Sequence, residues 1–238
     1  MVVILGMHRS GTSCLAGCLQ ENGLDLGKVM VVSKFNPKGN RENRDVININ
    51  DSILNFSKGS WDNPPDEVVW NETHIRNRDT FLRSNFQTNI SGFKDPRTIL
   101  TFDFWNPAIP NPVYIATFRH PLGVALSLKR RNQFDLNKGL LLWYAYNKKL
   151  LSIIEYNIVY LINFDDEPGQ YLNSINVISE KLGLNGSNTL PDFYDSSHIN
   201  IKSDSYPDTA DIPDSILSLY DKLISISLNQ LKGSFNNT

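Results

Sequence analysis

The stretch VVILGMHRSGTS, Val2 to Ser13, is the most informative in the chain. Val2-Val3-Ile4-Leu5 is short, β-branched and bounded by Gly6. It reads as a strand buried on both faces, as in a parallel sheet. A loop over 6–11 follows, then a helix from about Thr12 to Gln20 that Asn22-Gly23 closes. The spacing is that of a phosphate-binding loop, G-x-x-x-x-G-K-[ST], with Thr12 where the lysine is expected. Gly6 and Gly11 permit the tight turn, and the N–H groups of Ser10, Gly11, Thr12, Ser13 and Cys14 are expected to converge on an anion at the helix N-terminus. The Thr12 and Ser13 hydroxyls add donors, and Arg9 supplies a cation from a different position in the loop.

Working outward, the pattern predicts further strands over 90–94, 113–118 and 158–162, each short and apolar. Helices are predicted over 45–56, 66–86, 98–105, 138–156, 169–182 and 213–231, with another beginning at Pro121. Residues 29–43 and 185–211 read as loops rich in turn formers. Strands alternating with helices imply a parallel α/β sheet covered on both faces. With 238 residues, no internal repeat and no clean linker, one domain over 1–238 is expected.

Composition narrows the functional classes. Lys plus Arg number 23 and Asp plus Glu 25, a net charge of −2, which argues against a dedicated nucleic-acid binder. It leaves room for a local basic pocket. No apolar run approaches the ~20 residues of a membrane span. The run Val2–Leu5 is too short for a secretion-signal core, and the two cysteines frame no disulfide scaffold, so a reducing, cytoplasmic location is expected. Cys14 and Cys18 lie on one helix face, and His8, His74, His120 and His198 are scattered without ligand spacing, so no metal is expected.

A second anion site is carried by FRHPLGVALSLKRRN, Phe118 to Asn132. Arg119 stands just past a predicted strand, where ligands of open α/β sheets gather, and Ser127 follows eight residues later on the next helix. Arg119 can fork onto a phosphate and Ser127 can donate to it. Lys129, Arg130 and Arg131 either extend this site or form a solvated basic face.

These two sites resemble those of the sulfotransferases that use 3′-phosphoadenosine 5′-phosphosulfate. The segments NPKGNRENRDV (36–46), GSWDNP (59–64), GFKDPRT (92–98), FDFW (102–105), GLLLWYAYNKKLL (139–151) and INFDDEP (162–168) resemble those of a bacterial-type branch of that family, with Phe164 where tyrosine is usual. The resemblance covers roughly the first 185 residues. It implies a three-layer, P-loop-NTPase-like parallel sheet flanked by helices. It also implies that Arg9, Ser10, Gly11, Thr12, Ser13 and Cys14 hold the 5′-phosphosulfate, and that Arg119 and Ser127 hold the 3′-phosphate.

On this reading the activity is transfer of a sulfuryl group to a hydroxyl of a small-molecule or glycan acceptor. Arg9 and Lys94 neutralise charge on the leaving phosphate and the sulfonate. Glu42 resembles the acidic base of the tyrosylprotein-type relatives, with His8 as rival base and a surface pairing with Arg41 or Arg44 as the plainer role. Asp95 is expected to orient Lys94 or Arg97, and Arg97 to bind an anionic acceptor or merely to pair with Asp95. Trp61 is either core or a sugar-stacking wall, and Asp165, Asp166 and Glu167 form a strand-end turn. A P-loop nucleotide or small-molecule kinase is the competing enzyme; the missing lysine and the lack of a clear magnesium-binding strand end count against it. A non-catalytic nucleotide- or glycan-binding module on the same fold is the third reading.

Overall fold

The structure is a computed structural model that describes residues 1–32, 36, 38–85, 90–189, 191–194 and 212–235. Its centre is a four-stranded sheet of β1 (Val2–Leu5), β2 (Gly92–Lys94), β3 (Val113–Phe118) and β4 (Val159–Asn163) in the order β2-β1-β3-β4. Every pairing is parallel, with Ile4 opposite both Lys94 and Ile115, and Phe118 opposite Asn163. The strand ends at Leu5, Lys94, Phe118 and Asn163 therefore open onto one edge, where ligands of such sheets bind.

Alternation along each strand divides the core in two. Val3, Leu5, Tyr114, Ala116, Phe118, Val159 and Leu161 face one apolar cluster. Val2, Ile4, Ile115 and Ile162 face the other. The first cluster holds α2 (Arg44–Phe56), α5 (Pro121–Asn132), α6 (Leu136–Tyr156) and α8 (Asp214–Phe235), through residues such as Ile53, Val124, Trp143 and Leu223. The second holds α1 (Thr12–Glu21) and α7 (Pro168–Leu182), through Leu15, Leu19, Tyr171 and Ile175. The expected α/β class, a parallel sheet between helical layers, is observed.

The edge of β4 is closed by side chains. Gln230 on α8 accepts from Leu161 N at 2.8 Å and donates to Val159 O at 2.7 Å, and Ser227 donates to Leu161 O at 3.1 Å. The amide stands in for a neighbouring strand and leaves no template for pairing with another chain there.

The structure departs from the sequence expectations at several element ends. The helix predicted over 66–86 begins only as α3 (Glu72–Asn85), because Asn71 Oδ1 accepts from Thr73 N and His74 N at 3.0 and 3.2 Å and starts the helix there. The helix predicted over 98–105 is split into a 3-10 turn at Pro96–Ile99 and the single turn α4 (Phe102–Trp105). Asp95 caps the first piece by accepting from Arg97 N at 2.8 Å. Position 86 and most of the loop expected over 185–211 lie outside the described residues.

Buried Asn50 holds this irregular stretch. Its Oδ1 accepts from Thr101 Oγ1 at 2.7 Å and Trp105 Nε1 at 2.8 Å, and its Nδ2 donates to Thr98 Oγ1 at 3.1 Å and Asp95 Oδ1 at 3.2 Å. An apolar substitution strands several buried polar groups at once. Asn50→Leu is expected to cost at least about 3 kcal/mol, a fall in Tm of roughly 6–12 °C for a chain of this size. A calorimetric Tm within 2 °C of wild type would rule out this role for the amide.

Candidate functional site

The turn between β1 and α1 is forced by close packing. Gly6 has φ +147°, and a Cβ there would lie 2.5 Å from Thr12 Cγ2 and 2.6 Å from Thr117 O. Gly11 has φ +86°, and a Cβ there would lie 2.1 Å from the Phe164 ring. Neither position admits a side chain. Thr117 Oγ1 donates to Ser10 O at 3.1 Å and ties the loop to β3. No side chain caps α1, so the N–H groups of its first turn stay available to a ligand. The Ser10 hydroxyl is fully buried and has no hydrogen-bond partner.

Arg9 adopts a left-handed backbone, φ +69°, and its Nε donates to Ser127 Oγ on α5 at 2.8 Å. The loop and the helix carrying the second expected anion site are thus in direct contact. Burial pulls the Arg9 guanidinium down to about 10, with Arg131, Arg119 and Arg130 adding repulsion. Half-buried Arg131 and exposed Arg130 both act on Arg9, while Lys129 is exposed and does not. The basic run therefore divides between site and surface.

Arg119 lies past the end of β3 and is 6% exposed. Its Nε pairs with Asp165 Oδ1 at 3.0 Å, and Asp165 Oδ2 accepts from His120 N at 2.7 Å. Its guanidinium carbon lies 5.4 Å from the centroid of the Phe164 ring, the ring that packs on Gly11. One aromatic ring therefore spans the gap between the loop and Arg119. Asp165 positions Arg119, a role the sequence reading missed; the signal was an acidic residue at the end of the neighbouring strand.

On the other side of β1, Lys94 ends β2 and is 1% exposed. Its Nζ donates to Glu42 Oε1 at 2.7 Å and to Ser13 Oγ at 3.3 Å. Loop, cation and carboxylate meet at one nitrogen. Glu42 is buried beside Lys94 rather than paired at the surface with Arg41 or Arg44. Arg97 is held by Asp95 at 2.9 Å and Asp51 at 2.6 Å, so both carboxylates neutralise it.

His8 is buried, with its ring centroid 4.5 Å from Trp61 and 6.3 Å from Tyr146, and its Nε2 has no hydrogen-bond partner. Burial holds the imidazole well below its usual range, and Arg97, Arg131, Lys94 and Arg9 push the same way. That environment disfavours His8 as a proton acceptor. Trp61 is engaged by His8 and by Phe134, whose ring stacks on it at 5.9 Å. Cys14 and Cys18 lie with their sulfurs 4.0 Å apart, Cys18 buried and Cys14 partly exposed. Among the described residues no group of three or more His, Cys, Asp or Glu is arranged to hold a metal, and no helix is long and apolar enough to cross a membrane.

With this geometry in hand, the fold is that of sulfotransferase domains. The chain resembles the sulfotransferase domain from the Synechococcus PCC 7002 olefin synthase, with a TM-score of 0.61 at 16% identity over 94% of each chain. It also resembles the sulfotransferase domain from the curacin biosynthetic pathway, with a TM-score of 0.62 at 13% identity over 94% of this chain and 97% of that one. No family model matches the chain, and no curated protein matches it in sequence.

Asp166 gives the strand-end turn a pH signature. Burial raises its carboxyl to about 6, aided by Asp165 and opposed by the hydrogen bond from Asn163. Its folded value exceeds the ordinary 3.8, so ionising it costs stability above pH 6, and that cost disappears as pH falls below 3.8. Asp166→Asn is expected to stabilise by about 1–2 kcal/mol at pH 7.5, after discounting for partial exposure, and by nothing at pH 3.5. Thermal unfolding at both pH values checks this; a pH-independent gain would contradict the assigned environment.

Proposed function

We propose that this chain transfers a sulfuryl group from 3′-phosphoadenosine 5′-phosphosulfate to a hydroxyl of a small-molecule or glycan acceptor. The observation that carries the reading is the contact between the loop and the second site: Arg9 donates to Ser127, and the Phe164 ring packs on Gly11 and lies 5.4 Å from the Arg119 guanidinium carbon. A single doubly phosphorylated nucleoside fits such a pair of cationic pockets. The residues suit its charge. The uncapped start of α1, the unpartnered Ser10 hydroxyl and the crowded cations around Arg9 all favour an anion.

The donor, when bound, supplies an electrophilic sulfuryl group on a phosphate leaving group. The chain contributes charge and position. Backbone N–H groups of 11–14, with the Ser10, Thr12 and Ser13 side chains, hold the 5′-phosphate; the Ser10 N–H, expected to join them, is instead donated to Met7 O at 3.2 Å. Arg119, oriented by Asp165, and Ser127 hold the 3′-phosphate. Arg9 stands between these pockets and offsets negative charge at either. Lys94, already shared by Ser13 and Glu42, stabilises charge developing beside the loop. Glu42 Oε1 takes the proton from the acceptor hydroxyl. Depressed basicity counts against His8 as the base, and its buried Nε2 stays free to hydrogen-bond a ligand.

Adenosine 3′,5′-bisphosphate at a hundredfold excess over its Kd is expected to stabilise the chain by about 2.7 kcal/mol, a rise in Tm of roughly 5–10 °C. ATP with magnesium is expected to give no comparable shift. Arg119→Ala should weaken bisphosphate binding ten- to a hundredfold through loss of a charge-assisted fork. A shift with ATP–magnesium but not with bisphosphate would favour the kinase reading.

Glu42→Gln keeps an acceptor for Lys94 but removes the base. Turnover with donor and acceptor is expected to fall ~10²–10⁴-fold, with bisphosphate affinity retained. Unaltered turnover would take the proton-abstracting role away from Glu42.

A further inference from the structure

Next to Glu42 stands a cation that the scheme above leaves unused. Arg41 adopts a left-handed backbone, φ +56°, which costs a non-glycine residue energy and persists where the surroundings impose it. The surroundings are visible: Arg41 N donates to Met30 O at 3.2 Å, Met30 N donates to Glu42 O at 2.9 Å, and Val29 bridges Asn43 in antiparallel fashion. The guanidinium carbon lies 4.6 Å from the centroid of the Phe193 ring, and Lys38 Nζ lies 6.0 Å from the same centroid while donating to Asp192 O. Phe193 packs on Gly17 of α1, one turn beyond Cys14.

Two of the three guanidinium nitrogens of Arg41, Nε and Nη1, are buried and make no hydrogen bond among the described residues. Buried donors without acceptors are uncommon in folded proteins and call for a partner. The neighbouring carboxylate does not supply one, because Glu42 is engaged by Lys94. The cation that the sequence offered for an anionic acceptor, Arg97, is neutralised by Asp95 and Asp51. The donor phosphates, on the reading above, are met around the loop and on the β3 side of β1. Arg41 belongs to the segment that delivers Glu42 to Lys94, on the β2 side.

We propose that Arg41 reads an anionic group, a carboxylate, phosphate or sulfate, carried by the acceptor, so that this chain selects acidic acceptors. The proposal rests on the sulfuryl-transfer reading and adds the acceptor's charge to it. Phe193 keeps the guanidinium flat and dry on one side, which strengthens its hold on an anion. Arg41 directly precedes in sequence the carboxylate that would accept the hydroxyl proton.

The test uses the full chain saturated with adenosine 3′,5′-bisphosphate, so that the loop is filled, and titrates inorganic sulfate at constant ionic strength by calorimetry. Saturable binding is expected in the wild type and should weaken at least tenfold in Arg41→Gln and in Arg41→Ala, each first checked for a native unfolding transition. p-Nitrophenyl β-D-glucuronide should compete with the sulfate, and the corresponding glucoside should not. Equal sulfate binding by wild type and both variants would overturn the proposal, as would a wild type that does not bind sulfate. A tenfold loss of bisphosphate affinity in the variants would also overturn it, because the anion would then be the donor's. If the wild type fails to bind bisphosphate, the sulfuryl-transfer reading falls instead. The sulfate comparison between wild type and variants in the free chain then still decides for or against an anion site at Arg41.

Discussion

A cation buried at one backbone bend is the constraint around which the candidate site is built. Arg9 sits in the turn between β1 and α1, where burial first, and then Arg131, Arg119 and Arg130, depress its guanidinium. Folding brings these groups together at a cost in free energy, offset by the apolar packing of the sheet and its helices. Asp165 relieves part of the strain at Arg119. On the proposed reading, an anion at the mouth of the bend offsets what remains. The uncapped helix start and the unsatisfied Ser10 hydroxyl point the same way.

Strand order converts that preference into a division of labour. Because β1 lies between β2 and β3, the loop that follows it is flanked by Lys94 on one side and Arg119 on the other. On the proposed reading, Lys94 serves the acceptor side together with Glu42, its hydrogen-bond partner. Arg119, beside the Phe164 ring, and Ser127, held by Arg9, serve the nucleotide side on the same reading. Arg9, the loop's own cation, reaches across to the second.

Much of this was legible in the residue order. VVILG followed by HRSGTS encodes a strand, a bend and a helix within a dozen positions, because glycine placement and β-branching act locally. The same holds for Phe118-Arg119-His120-Pro121, where a proline opens the next helix. Less was legible where a distant side chain decides an element's end. Asn50 organises residues 95–105 from another helix, and the periodicity of 98–105 gave no hint of the break it helps hold. The start of α3 at Glu72 depends on one Asx cap rather than on the polar pattern of 66–86.

Read along its length, the chain discloses its fold class, its glycine-flanked bend and the residue types available for chemistry, because those follow from spacing and local stereochemistry. Pairings across space came only with the folded chain: Glu42 with Lys94 across 52 positions, Arg9 with Ser127 across 118, Arg119 with Asp165 across 46. Those choices turn on desolvation and on which charges lie nearest in three dimensions. The folded arrangement took Arg97 out of contention by flanking it with two carboxylates and left Arg41 with donors to spare. No spacing rule distinguishes two arginines of one charge, and the carboxylates that folding sets beside one of them do.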